Sequence, residues 1–241
     1  MQIERNFPPD KGPLKAGSDV RTAKAVNSVN ELDPGELQGV PVLTRLFEIP
    51  MALVALIVTA PVMLFVATVV WWGTPGPVLF RQQRLGIGAR PFSFYKFRTM
   101  YADARTRFPE LYAYDYTQSD IDKLYFKVED DPRVTPQGQW LRRLSIDELP
   151  NFWCVLKGDM ALVGPRPEIP EMLRYYDAET IKKFSVRPGV TGLAQISGRG
   201  RLSFNDTVAC DLEYVRTRSF MLDMKILFKT VWMVLVRHGA F

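Results

Sequence analysis

Residues 141–168 read LRRLSIDELPNFWCVLKGDMALVGPRPE, and how this stretch is placed decides the rest of the chain. Two adjacent carboxylates, Asp147 and Glu148, lie among Arg142, Arg143 and Arg166. Acids beside arginines suit a site that handles a phosphate and a metal ion together. Proline is tolerated in the first turn of a helix, where its missing N–H has no partner to lose, and disfavoured deeper in. Pro150 therefore favours Asp147 as the N-cap of a helix that runs through NFWCVLK to a stop at Gly158. The competing register has Ser145 as cap and Glu148 closing a capping box, and it puts Pro150 one turn too deep. With Asp147 at the helix start, the positive helix end favours an ionised carboxylate and also a bound phosphate. For these residues alone, a capped surface helix with solvated charges is the plain alternative.

Composition narrows the chemistry. The chain has 241 residues and a formal net charge of +5, enough for one sizeable domain with appendages. The charge attracts anionic partners: nucleic acid, phosphorylated metabolites or an anionic membrane face. Cys154 and Cys210 form no redox or metal-ligand spacing and are expected to be reduced. The single histidine, His238, sits near the C-terminus. Acid–base or nucleophilic chemistry then rests on carboxylates, which disfavours Ser–His hydrolases and His-based zinc sites.

Working outward, residues 1–41 mix Pro, Gly, Asp, Lys and Asn with little apolar periodicity, and a largely disordered tail is expected there, not a cleavable signal peptide. No charged residue occurs from Ile49 to Trp72, a run longer than the ~18–20 residues needed to cross a bilayer. Pro61 at its midpoint predicts a kink. Arg45 on one flank and Arg81, Arg84 and Arg90 on the other suit a re-entrant helix that returns to the face it entered, with a straight span as the alternative. Val78–Gln83 and Phe92–Phe97 alternate around Gly86-Ile-Gly88, which reads as a β-hairpin. Lys96 and Arg98 share a strand face by period two, either as a phosphate-holding pair or as a solvated edge. Thr135-Pro136 predicts an N-cap with proline at the first helical position. Prolines on both sides of Arg166 restrict the backbone so that an arginine can be held without a helix. Glu168 to Lys183 reads as an amphipathic helix. The loops that begin at Arg187 and Gly198 pair glycine with arginine and suit approach to a nucleotide. Asp211 interrupts an apolar helical pattern, and Leu222–Val236 reads as a helix lying on the membrane or against the core.

Taken together, FRQQRLG (80–86), PFSFYKFRTM (91–100), residues 130–168, RPGVTGLAQISGRG (187–200) and LDMKILFKT (222–230) resemble the bacterial sugar transferases, the monotopic phosphoglycosyl transferases. The resemblance implies transfer of a sugar 1-phosphate to a membrane polyprenyl phosphate with release of UMP, the donors by family habit being UDP-galactose or UDP-glucose. It implies that Asp147 is the nucleophile of a covalent phosphosugar intermediate, with Glu148 beside it serving a Mg²⁺ site formed by the two acids, or proton handling. It assigns phosphate contacts to Arg166, Arg142 and Lys96; Arg98, Arg187 and Asp211 join them as candidate substrate contacts. Ala60 stands before Pro61 where some members have serine, so the break rests on Pro61. The expected fold is α+β and mostly helical: tail over 1–41, proline-broken re-entrant membrane helix over 42–73, and a compact catalytic domain over 74–241 with a β-hairpin and interfacial amphipathic helices. The implied setting is the cytoplasmic face of a bacterial inner membrane. Its partners would be donor, polyprenyl phosphate and bilayer, with no nucleic acid and a homodimer left open. Two rivals stand beside this reading, a membrane glycosyltransferase that releases UDP and a basic membrane-anchored binding module.

Overall fold

The computed structural model describes residue 37 and residues 42–122, 124–125, 130–198 and 201–236. The tail expected over 1–41, apart from residue 37, lies outside the described residues, as do His238 and parts of the loops at 127–132 and 198–201.

The uncharged run forms α1, Val42–Gly73, a helix long and apolar enough to cross a membrane. At 1.5 Å per residue, its 32 residues correspond to about 48 Å. The helical assignment continues through Pro50 and Pro61, so the expected break at Pro61 is not seen as an interruption. Near Pro61 the Thr59 hydroxyl donates back to the carbonyl of Ala55 at 2.6 Å, a side-chain bond to the helix's own backbone one turn back.

Both ends of α1 are fastened to the same body. On the N-terminal arm, Ala52 packs with Cys154, Val155, Met160 and Leu162. There Arg45 donates to the carbonyl of Leu156 at 3.1 Å, and Glu48 accepts from the Leu162 amide at 2.9 Å. On the C-terminal arm, Val66 and Val70 pack with Phe97 and Leu141. Between them, residues 53–65 include no buried position, and Ile57, Val58, Leu64 and Phe65 are all more than 60% exposed.

The predicted hairpin is present: β1, Leu79–Leu85, pairs antiparallel with β2, Pro91–Phe97, with Phe80 opposite Lys96 and Arg84 opposite Phe92. Thr135 caps α2, Pro136–Arg143, its hydroxyl accepting from the Gly138 amide at 3.0 Å. Helix α3, Asn151–Lys157, ends at Gly158 in the left-handed region (φ 88°), as a glycine stop predicts. A second, parallel pair was not anticipated. β3, Ala161–Val163, lies beside β4, Gly189–Thr191; three-residue strands bounded by glycine and proline carry too little alternation to be read locally. The amphipathic helix expected over 168–183 is instead two 3₁₀ turns, Pro170–Tyr175 and Thr180–Ser185. Asp177 separates them, its carboxylate accepting from the amides of Glu179 and Thr180 at 3.0 and 2.8 Å, a side-chain turn that competes with helix. Helices α4, Leu193–Gly198, α5, Phe204–Thr217, and α6, Phe220–Leu235, complete the described chain. The α5 segment and the 180–185 turn bury Phe184, Phe204 and Val208 in one core.

Candidate active site

Ser145, in the left-handed region at φ 57°, turns the chain sharply out of α2 into a 3₁₀ turn, Ile146–Glu148, that carries both acids. Asp147 is therefore not the N-cap of α3, as the position of Pro150 had suggested. Pro150 itself takes the cap position, and α3 begins at Asn151. The 3₁₀ turn and the residues after it hold helical dihedrals up to α3, so the proline still falls at a helix start. The acids are simply one short turn further upstream. What surrounds Asp147 is side-chain charge from separate elements: Lys96 from β2, Arg142 from α2 and Arg166 from the loop after β3.

Asp147 is 5% exposed. Burial, and then the like charge of Glu148, push its carboxyl up to about 6 against the pull of Lys96, Arg142 and Arg166. Glu148 goes the other way. Burial would raise it, but Arg166, whose Nη2 lies 2.6 Å from Oε1, together with Lys96 and Arg84 holds it below the usual carboxylate range. Burial lowers the Lys96 ammonium to about 8, with Asp147 opposing and Arg142 and Arg84 reinforcing. Two neighbouring acids with pKa values driven apart are a common signature of divided chemical labour. The arrangement sets two carboxylates among cations that can receive a phosphate.

Arg142 is aimed by the Thr99 hydroxyl, which accepts from Nε at 2.9 Å. Thr99 is in turn held because its carbonyl accepts from the Thr135 amide at 3.0 Å. Arg166 is the exposed residue in an otherwise buried run from 161 to 169. The backbone around it is pinned by the Gly164 amide to the Thr191 carbonyl (2.9 Å), the Gly189 amide to the Pro165 carbonyl (2.9 Å) and the Leu85 amide to the Glu168 carbonyl (2.8 Å).

Of the residues singled out in the sequence, Asp147, Glu148, Arg142, Arg166 and Lys96 converge. Arg98 and Asp211 do not: the side chain of each is engaged by other groups of the chain. β2 stops at Phe97, and Arg98 is buried against the end of α1, donating to the carbonyls of Thr74 (2.8 Å) and Pro75. Arg98 also reaches the Val70 carbonyl in the last turn of α1 at 3.4 Å, one of the carbonyls that a helix end leaves without an amide partner. Asp211 is fully buried and paired with Lys183 at 2.9 Å. Arg187 is close enough to Glu48 of α1 for its charge to act there. One residue was overlooked: Arg84 donates to the carbonyl of Pro167 at 3.1 Å, lies over the Phe94 ring at 5.5 Å, and its charge reaches Glu148 and Lys96. Period two along FRQQRLG, combined with the pairing of Phe80 to Lys96, puts Arg84 and Lys96 on one face of the hairpin.

Among the described residues no group of three or more His, Cys, Asp or Glu side chains could hold a metal. The Asp147–Glu148 pair nevertheless fits Mg²⁺, which uses one or two carboxylates and fills its remaining positions with water and substrate phosphate. The like-charge repulsion that raises Asp147 is what a cation would relieve.

The family model described as Bacterial sugar transferase matches residues 40–237. The chain is 40% identical over 208 residues to the undecaprenyl-phosphate glucose phosphotransferase of Komagataeibacter xylinus, covering 82% of this chain and 36% of that protein. It is 37% identical over 202 residues to the undecaprenyl-phosphate galactose phosphotransferase of Salmonella typhimurium, covering 83% of this chain and 42% of that protein. With the uncharacterized sugar transferase EpsL of Bacillus subtilis the identity is 40% over 198 residues, covering 82% of this chain and 90% of that protein. The chain thus spans between about a third and two fifths of the length of the two named phosphotransferases.

Proposed function

The chain belongs to the bacterial sugar transferase family, and on that premise we propose that it moves a hexose 1-phosphate from a UDP-sugar to a polyprenyl phosphate at the membrane. The observation that carries this reading is the buried Asp147 beside Glu148, with Lys96, Arg142 and Arg166 directed at the pair. The names of the relatives favour glucose or galactose as the sugar and an undecaprenyl chain as the acceptor.

The transfer is written as two displacements at one phosphorus. A carboxylate oxygen of Asp147 attacks the sugar-bearing phosphorus of the donor; the bond from that phosphorus to the bridging oxygen breaks, and UMP leaves with the electron pair. An oxygen of the polyprenyl phosphate then attacks the same phosphorus, the acyl–phosphate bond breaks, and Asp147 returns as a carboxylate. No proton is needed at the nucleophile, which suits a site without a described histidine. Lys96, Arg142 and Arg166 screen the phosphate charge that would otherwise repel the anionic attack. Arg166 also keeps Glu148 ionised. Mg²⁺ held by Asp147 and Glu148 would supply further neutralisation of the donor diphosphate.

The anchoring of α1 supports a seating in the membrane. Fastening of both arms to one body, with an exposed apolar stretch over 53–65 between them, supports a re-entrant helix that dips into one leaflet. Exposed Phe228, Val231, Trp232 and Leu235 on α6, with Lys225 and Lys229 on the same helix, support an interfacial position for it. The catalytic domain would then face the cytoplasm, where nucleotide sugars are made, on the inner membrane of a bacterium.

The test uses purified protein with Mg²⁺, a panel of UDP-hexoses and a short polyprenyl phosphate, with the released nucleotide identified. UMP that disappears in Asp147→Asn supports the proposal and names the sugar. UDP would make the protein an ordinary glycosyltransferase, and no nucleotide with any donor would return it to the binding-module reading.

A further inference from the structure

Beneath the Arg166 loop lies a chain of buried charged and polar groups that the two displacements do not use. Asp211 Oδ2 on α5 is 2.9 Å from Lys183 Nζ. Lys183 Nζ donates to the Tyr176 hydroxyl at 3.2 Å, and that hydroxyl donates to Glu168 Oε2 at 3.2 Å. Glu168 Oε1 accepts the Ile169 amide at 3.0 Å. All four side chains are buried, and the Tyr176 ring is wedged edge-on against Phe184 and Phe204 at 5.3 and 5.4 Å. Burial alone would lower Lys183, but Asp211, then Tyr176 and Glu168, hold it above the ordinary lysine range, so the ammonium persists in the core.

A buried network of this kind is a poor way to gain stability. Replacing a buried ion pair with well-packed apolar residues is often neutral or stabilising. Its position offers a reason for it. The far end is Glu168, the residue that closes the GPRPE segment two positions after Arg166, and the other side of that segment is held by Arg84 through the carbonyl of Pro167 at 3.1 Å. Arg84 and Glu168 also attract one another electrostatically. The segment is therefore clamped from the hairpin on one side and from α5 and the 180–185 turn on the other. The exposed Arg166 is the group it presents.

We propose that Tyr176, Lys183 and Asp211 are positioning residues that act through Glu168 to fix the Arg166 loop, and so fix the guanidinium against Glu148 and the donor phosphate. The part that concerns the donor rests on the phosphosugar-transfer reading above; the part that concerns the loop does not. Aiming a phosphate-binding arginine from a clamped loop lowers the entropy to be lost when the phosphate arrives, and a misplacement of about 1 Å can cost on the order of 100-fold in rate.

Tyr176→Phe severs the link between Lys183 and Glu168 while keeping the ring. Its turnover should fall by about 10- to 100-fold, with the donor KM changing much less than kcat and the melting temperature nearly kept. The decisive measurement is a cycle with Arg166→Ala. If Tyr176 acts through Arg166, adding Tyr176→Phe to Arg166→Ala causes little further loss; multiplying losses would overturn the proposal. The double variant Lys183→Gln, Asp211→Asn replaces the ion pair by a neutral amide pair and runs the same cycle if Tyr176→Phe does not fold. If the unmodified protein releases no UMP with any donor, the transfer reading has failed on its own account. Hydrogen exchange then decides the clamp: amides of residues 161–169 should exchange about 10-fold faster or more in Tyr176→Phe while the β1–β2 amides hold, and unchanged exchange in both segments would overturn it.

Discussion

The burial of Asp147 beside Glu148 costs folding free energy. Burial and Glu148 lift its carboxyl to about 6 from an ordinary value of 3.8. Because the folded-state pKa is the higher one, the stability this group contributes is fully present below about 3.8 and is lost as pH rises through about 6. Glu148 has the opposite sign, since Arg166 depresses it and its contribution is present at neutral pH. Asp147→Asn removes the first effect and leaves the second. The variant should therefore be inactive yet more stable than the native protein at pH 7.5, by about 1–3 kcal/mol at ~1.4 kcal/mol per pKa unit. That corresponds to several degrees at ~2–4 °C per kcal/mol for a chain of this size. The gain should shrink toward pH 4.5. Thermal melts of both proteins at the two pH values check it, and a variant no more stable at pH 7.5 would show that the buried carboxylate is not under strain.

At the level of elements, two glycines of the same region serve different ends. Gly138, in the first turns of α2, lies against the backbone of Thr99, and an added Cβ would come 2.0 Å from that carbonyl oxygen. Thr99 is also the residue that aims Arg142. Gly138→Ala must push α2 away from Thr99, with an expected cost of about 1–3 kcal/mol, and it should lower turnover because Arg142 moves with the helix. Gly158 ends α3 at φ 88° and has open space around it apart from Arg45. Gly158→Ala should cost a similar ~1–2 kcal/mol through backbone strain while turnover is retained. Parallel melts and UMP-release assays separate the two. Equal turnover in the two variants would refute the claim that the α2–Thr99 contact sets the site.

For the whole molecule the question is how a helix of about 48 Å can be fastened at both ends to one domain and still enter a membrane. Arg45 and Glu48 tie its first turns to α3 and β3, and Arg98, which follows β2, ties its last turn through the carbonyl of Val70. On the re-entrant reading proposed above, the domain stays on one side of the bilayer and both flanks should be on that side. Single cysteines placed at Leu43 and Leu79, with Cys210 replaced by serine, should be labelled by a membrane-impermeant thiol reagent from the same face of sealed vesicles. Pro61→Leu, which restores the missing amide at the helix midpoint, should move one label to the other face. Labelling of the unmodified helix from opposite faces would replace the re-entrant reading by a straight span.

Much of this was legible in the amino-acid order, because the signals involved act over a few residues. The uncharged run from Ile49 to Trp72, the alternation flanking Gly86-Ile-Gly88, the Thr135-Pro136 start and the Gly158 stop all follow from backbone dihedrals and side-chain period. The five residues that converge on the site were also singled out from the chain, on the strength of motif and resemblance. What only the tertiary structure decided is where long polar side chains point. Arg98 reaches carbonyls at the end of α1, Asp211 meets Lys183 in the core, and Arg84 braces the loop that presents Arg166. The parallel pairing of Ala161–Val163 with Gly189–Thr191 belongs to the same class. A flexible charged side chain binds whatever partner packing brings within about 3 Å, and no local pattern records which partner that will be.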